Sequence, residues 1–589
     1  MLRHARFVIA SLLVVLPLGC GGSGVSLHPD GGAAGAGGGG VDASGSGGIH
    51  VTFDAGGFTG NGTGNGGTAT GTGGTGAGGA AGAPMPTGSL VFQGNQAALI
   101  NNGPPCTIEV GATGDRWCAF FTQLGTYPAD LYVVNVTQAA AGVSITCGTT
   151  DANCLHLTNS FTQELSTAQT IAHPALFQGD TLVYYDATWT PYAWRPGMTA
   201  GRALAVANPT TMDVQFCTPS RKGTAVYCVH PLPTAMQTDP THTFLVDLLA
   251  GHVDDAATPP LARVETVIAA SSSDTSVNHF EVDFPVPGTD AFAWSARASA
   301  AGAEVLKMQT LGNDASRVTV ATGVNSWRAS PDGARWYWLS AVSESTGAGT
   351  LQSAPYPVAG TTPTSLGSNM VQFDFPTLPT PSSLVALDLS TSKTLRAFAD
   401  PVGAPTTALV LDTGVLGMIA LSTQGQIAYA KATATTGSFA NMFVKKSDGT
   451  GACTLTSATD GYYPALFFTA DSGATTWLQR SGSSVLARYT RLSDCTVMTS
   501  NSSANLVWSQ PLGNRGVLFI DGYDTNSGTG ALRFLGVAAG NTLSTDPISM
   551  ISGQVGFFAV TASAGSDIVV YTVNGGGNDD GVYVRGFGN

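Results

Sequence analysis

The sequence predicts an all-β fold made of short strands repeated along most of the chain, and three observations carry that prediction. Charged residues are 11% of the 589, and Glu and Lys number six each, where soluble proteins average about 25% charged. Exposed helix faces are built from such residues, so few surface helices are expected. The second observation is a recurring unit, a Gly-containing turn followed by a short run of aromatic, aliphatic and β-branched residues. The third is its spacing, mostly 40 to 65 residues between adjacent copies, the period expected of a supersecondary repeat.

Taken from the start, the chain opens with Arg3, His4 and Arg6, then an apolar run from Phe7 to Leu18 broken only by Ser11 and Pro17. That is the pattern of a signal peptide, and the run is shorter than the roughly 20 residues a membrane-spanning helix needs. The stretch Leu16-Pro17-Leu18-Gly19-Cys20 resembles the bacterial lipoprotein cleavage box. The resemblance implies acylation of Cys20 and anchoring of the chain in a membrane, with Gly21 after the cysteine favouring the outer membrane, on its periplasmic or surface face. Ordinary cleavage beside an incidental cysteine is the other reading. Residues 1–20 are thus the signal segment. Residues 21–88 hold 28 glycines and neither Lys nor Arg. Such a segment buries too little apolar surface to offset its backbone entropy and is expected to be a disordered tether.

Residues 89–589 carry the repeat. Copies begin at Gly114-Asp115-Arg116-Trp117 and Gly179-Asp180-Thr181-Leu182, and near Gly223, Gly288, Gly333, Gly425, Gly473, Gly513 and Gly565. The glycine supplies the positive φ of a hairpin turn, and the strand after it is apolar throughout, as a strand covered on both faces must be. A strand unit at this period in a helix-poor chain fits a β-propeller, whose four-stranded blades each take about 40 to 50 residues. We expect one ring of about eight blades, with two smaller propellers as the alternative. Ser89-Leu90-Val91-Phe92 is expected to pair beside Gly581-Val582-Tyr583-Val584-Arg585 and tie the ends together.

At Ser330-Pro331-Asp332-Gly333, followed by Trp336-Tyr337-Trp338-Leu339, the chain resembles the TolB-type, WD-like β-propeller repeat. A second stretch is similar to the fuller pattern: Ile427-Ala428-Tyr429, Met442-Phe443-Val444, Ser447-Asp448-Gly449, Leu455-Thr456, Tyr463-Pro464-Ala465-Leu466 and Asp471-Ser472-Gly473. The resemblance covers roughly residues 325 to 500. It implies a protein-interaction module of the bacterial envelope.

Besides Cys20 there are eight cysteines, and an even number in an exported chain reads as disulfides. Proximity pairs Cys106 with Cys118, Cys147 with Cys154, Cys217 with Cys228 and Cys453 with Cys495. No metal site and no cofactor is expected, since neither a close CxxC pair nor neighbouring histidines occur. Without the signal segment the balance is 38 acids against 22 bases, and no basic cluster of the kind that holds nucleic acid is present.

Tyr184, Tyr185, Trp189, Tyr192, Trp194 and Arg195 pack five aromatics and a base into twelve residues. Projecting from a loop they would form a ligand-binding platform, and pointing inward they would be blade core. His156, His173, His230, His242, His252 and His279 with Asp254 and Asp255 are a weaker candidate for a metal or acid-base site. Asp524-Thr525-Asn526-Ser527-Gly528 imitates part of a calcium loop but lacks its downstream acid and reads as a hairpin turn. No Gly-x-Ser-x-Gly elbow occurs in the folded part. The expected function is a non-catalytic, envelope-anchored scaffold binding a protein or ligand, with an envelope protein or polysaccharide as partner. The alternative is a carbohydrate hydrolase or lyase on the same scaffold.

Overall fold

Strand pairing between neighbouring segments decides the architecture. In this computed structural model the described residues run from 88 to 588, apart from connecting stretches of which the longest are 162–174, 207–215, 232–243, 271–280 and 537–548. The described residues form forty strands, and Val136–Ala140 is the only α-helix among them. The scarcity of charged helix formers therefore reads out as expected.

The strands group into four-stranded antiparallel units in chain order. Unit 1 spans 98–161, where Ala98–Leu99 and Thr107–Val110 share one edge of Asp115–Phe121. Unit 2 spans 175–203, unit 3 216–270 and unit 4 281–322. Units 5 and 6 share the strand Thr364–Asp374, whose first half closes 324–370 and whose second half opens 370–412. Unit 7 spans 415–454 and unit 8 462–499. Units 9 and 10 share Ser549–Ser563 in the same way, covering 507–555 and 555–588. The fourth strand of unit 10 is Ser89–Gln93, antiparallel to Gly581–Gly588 with Ser89 opposite Val584 and Gln93 opposite Gly581. The expected pairing of the first and last strands is thus present, while the described residues hold ten units where about eight were expected.

Side chains alternate across each sheet, so the second strand of a unit feeds two cores at once. Trp336 and Trp338 pack against Leu306 and Trp327 toward unit 4. Tyr337 and Leu339, between and after them, pack against Leu384 and Phe398 toward unit 6. The same division repeats at every junction along the chain. A further core joins Val570 and Val584 of unit 10 to Phe120 and Val134 of unit 1. Sheets that meet face to face in this succession are the blades of a β-propeller.

Of the turns that begin these second strands, those at Gly333 and Gly425 carry the expected positive φ on glycine, whereas before Ala474 it is Ser472, at φ +56°, that takes it. Gly333 has φ +71° and donates to the Ser330 carbonyl, while Ser330 Oγ accepts the Arg335 N–H at 3.0 Å. Ser422 Oγ takes the Gln426 N–H at 2.9 Å, and Thr469 Oγ1 the Ala474 N–H at 3.0 Å, in the same way. Each hydroxyl satisfies a backbone donor inside a tight turn.

Three of the four expected disulfides are formed, Cys147–Cys154, Cys217–Cys228 and Cys453–Cys495. Cys118 is buried on Asp115–Phe121, and Cys106, like Cys20 and the whole of 1–87, lies outside the described residues.

Candidate binding site

The aromatic stretch of unit 2 turns inward. Tyr184, Tyr185 and Trp194 are buried, with Trp194 edge-on to Trp117 at 5.4 Å. Tyr185 Oη accepts the Cys217 N–H at 2.7 Å, so it joins units 2 and 3, and burial pushes its hydroxyl well above the ordinary tyrosine range. Tyr192, half-buried, stacks on Tyr184 at 5.3 Å. Arg195 bridges Asp180 and Asp254, the latter at 2.6 Å. Tyr184, Tyr185 and Trp194 are therefore blade core, the second of the two expectations for this stretch, because alternation on strands covered on both faces turns their rings inward. Trp189 lies outside the described residues.

Among the described residues the histidine candidates do not converge. His156 shares a hydrogen bond with Asp130 at 2.9 Å, whereas His252 contacts Thr224 Oγ1 at 2.9 Å and Asp290 at 3.4 Å. His230 sits on the strand Ala225–Pro231, and His173, His242, His279 and Asp255 lie outside the described residues. Among the described residues no group of three or more His, Cys, Asp or Glu is placed to hold a metal ion. The segment 524–528 is a hairpin turn, with Gly528 N–H donating to the Asp524 carbonyl at 2.8 Å and Asp524 Oδ1 taking the Asn526 N–H at 3.0 Å.

An exposed aromatic surface lies where units 9 and 10 meet, apart from the exposed Tyr356 that stacks on Trp336 in unit 5. Trp508, on the innermost strand Val507–Leu512 of unit 9, is 38% exposed. Its ring stands edge-on to Tyr523 at 5.3 Å and tilted on Phe557 at 5.9 Å. All three rings sit where the strand register slips. The slips fall between Val507 and Ser509, between Asp521 and Asp524, and between Val555 and Phe558. An inserted residue breaks the alternation that would otherwise send a side chain into one of the two cores and re-aims it. Three independent insertions here bring three aromatics to one place.

The backbone is strained at the same place. Trp508 has φ +44° and Gln554, exposed three residues before Phe557, has φ +57°. A bulky residue in this region costs about 1–3 kcal/mol and persists where its surroundings hold it there. Tyr523 and Phe557 are nearly buried, so they form the rigid floor and Trp508 the open surface. Burial, with the Asp524 charge added to it, pushes the Tyr523 hydroxyl up to about 12. At Gly556, beside Phe557, a Cβ would lie 2.8 Å from Asn574 Nδ2. Sequence reading missed this site because Val507-Trp508-Ser509-Gln510 looks like any alternating strand, and nothing in the residue types marks the inserted position.

No family model matches the chain, and no curated protein matches it by sequence. Among solved structures it is similar to a eukaryotic initiation factor at 9% identity, covering 72% of this chain and 94% of that one with a TM-score of 0.43. An oligogalacturonate lyase in complex with manganese follows at 10% identity, 58% and 95% coverage and a TM-score of 0.30. TolB from Acinetobacter baumannii is similar at 11% identity, 62% and 88% coverage and a TM-score of 0.26. At these overlaps, the β-propeller architecture of this chain rests on its own strand pairing and inter-sheet cores.

Proposed function

We propose that this chain is a non-catalytic, envelope-tethered propeller whose units close into a single ring and whose Trp508 surface binds a protein or ligand partner. The observation that carries the binding role is Trp508 itself, a large aromatic held open to solvent on a strained backbone over two nearly buried rings. A ring held against backbone cost is accounted for by contact with something outside the chain. What supports a single closed ring is the pairing of Ser89–Gln93 with Gly581–Gly588 and the core shared by units 10 and 1. Ten blades would then make the ring, more than the four to eight of common propellers. Lipid attachment at Cys20 and a tether over 21–88 would hold it at the outer membrane.

The test is capture by the purified full chain, immobilised and exposed to solubilised envelope proteins and to a polysaccharide panel. We expect saturable retention of one partner that falls at least tenfold with Trp508→Gly. Release of a shortened sugar product on incubation would overturn the non-catalytic reading in favour of a hydrolase or lyase. Retention indifferent to Trp508 would remove the assigned surface.

A further inference from the structure

We infer that the Trp508 surface receives a neutral glycan, which stacks on the indole while its hydroxyls reach the Asp524 hairpin and the Gln554 amide. This rests on the binding reading above and narrows it to one ligand class. Four features of the site argue for it.

The first is rigidity. The indole is supported by Tyr523 and Phe557 at 5.3 and 5.9 Å and by a fixed bulge. A flat, stiff aromatic matches the C–H face of a sugar ring, which has no side chain of its own to adapt. The second is what borders the ring. Asp524 and Asn526 are exposed on the hairpin that follows Tyr523, and Gln554 is exposed on the strand that carries Phe557. A carboxylate and two amides supply the acceptors and donors that sugar hydroxyls require.

The third feature is charge. The bordering segments 524–529, 554–557 and 574–580 contain no Lys or Arg and carry Asp524, Asp579 and Asp580. The whole chain has a formal net charge of −14. A polyanionic sugar such as a uronate would meet like charge with no cation to pair it. The fourth is the glycine-rich turn beside the rings. Asp580 fixes it by accepting the Gly575 and Gly576 N–H groups at 2.7 and 2.9 Å. Around Gly576 and Gly577 nothing lies within 4 Å of where a Cβ would stand, so a sugar chain can approach their backbone closely, while the Gln554 side chain lies over Gly575.

Affinity electrophoresis of the full chain through gels containing dextran, mannan, laminarin or polygalacturonate tests the inference. We expect retardation by at least one of the three neutral glycans and none by polygalacturonate. Trp508→Gly should weaken that retardation at least tenfold while leaving the thermal midpoint within a few degrees, because glycine relieves the positive φ as it removes the ring. Trp508→Phe, which keeps a smaller ring, should fall between, and Gln554→Ala supplies an independent loss if the glycine variant unfolds. Absence of retardation by every neutral glycan, or equal retardation of wild type and Trp508→Gly, would sink the glycan assignment. Preference for polygalacturonate would do the same. Trp508-dependent capture of an envelope protein together with no glycan binding would leave the scaffold reading standing without this narrowing, and loss of both would remove the two together.

Discussion

Gly333 shows how a single residue fixes one of these turns. Its φ is +71°, and a Cβ there would lie 2.8 to 2.9 Å from Val286 on the preceding unit. Gly333→Ala therefore meets both a left-handed backbone and a neighbour it must displace, and it should cost about 1–3 kcal/mol. Equilibrium urea unfolding of the two proteins checks this, and an unchanged midpoint would mean the turn relaxes freely. That turn was legible in the sequence because Ser330, Asp332 and Gly333 each have a local job that depends on residue type. Trp508 was not legible, because its exposure depends on a register slip set by its partner strand. The stretch from Tyr184 to Trp194 failed for the opposite reason. Its composition suits a platform and a core equally, and only the second sheet lying over it decides.

Two long strands are each shared between neighbouring units. Thr364–Asp374 and Ser549–Ser563 each end one unit and begin the next without an intervening turn. The glycine turns mark nine of the ten units, and only unit 6, which shares Thr364–Asp374 and whose second strand is Ser383–Asp388, has none; the expectation of about eight followed the usual size of propellers. Adjacent innermost strands are also tied directly by glutamines. Gln372 Oε1 accepts the Met418 N–H at 3.3 Å, and Gln510 Oε1, nearly buried, accepts the Val560 N–H at 2.8 Å. An inner edge strand has backbone donors that no further strand pairs, and the side-chain amide takes that role. Gln510→Met keeps the side-chain length and removes the acceptor, so it should destabilise by about 1–3 kcal/mol through the orphaned Val560 amide. Thermal unfolding reads the loss. Faster hydrogen exchange at Val560 would place it on this bond, and unaltered exchange there would contradict the account.

For the molecule as a whole, the pairing of its two ends was the most legible long-range feature. Ser89-Leu90-Val91-Phe92 is a lone apolar segment after a glycine-rich run, and Gly581–Gly588 pairs on one side with Ser566–Val573 and on the other with this segment. The number of units was less legible, because unit 6 carries no glycine turn ahead of its second strand. In the proposed ring, deleting residues 89–93 uncovers the edge of Gly581–Gly588 and removes Val91 from the core between units 10 and 1. The deletion should lower the thermal midpoint and promote edge-to-edge association at higher protein concentration. Light scattering together with unfolding checks both, and a monomeric variant of unchanged midpoint would argue against closure by this strand. The same attachment has a mechanical side. All chain before Gly88 enters the fold through this outermost strand, and a Cβ at Gly88 would lie 3.0 Å from Tyr571 Oη and from the Val584 carbonyl. Tension on the leading segment is therefore delivered first to the bonds around Ser89 and Val584, before it reaches any other strand pair.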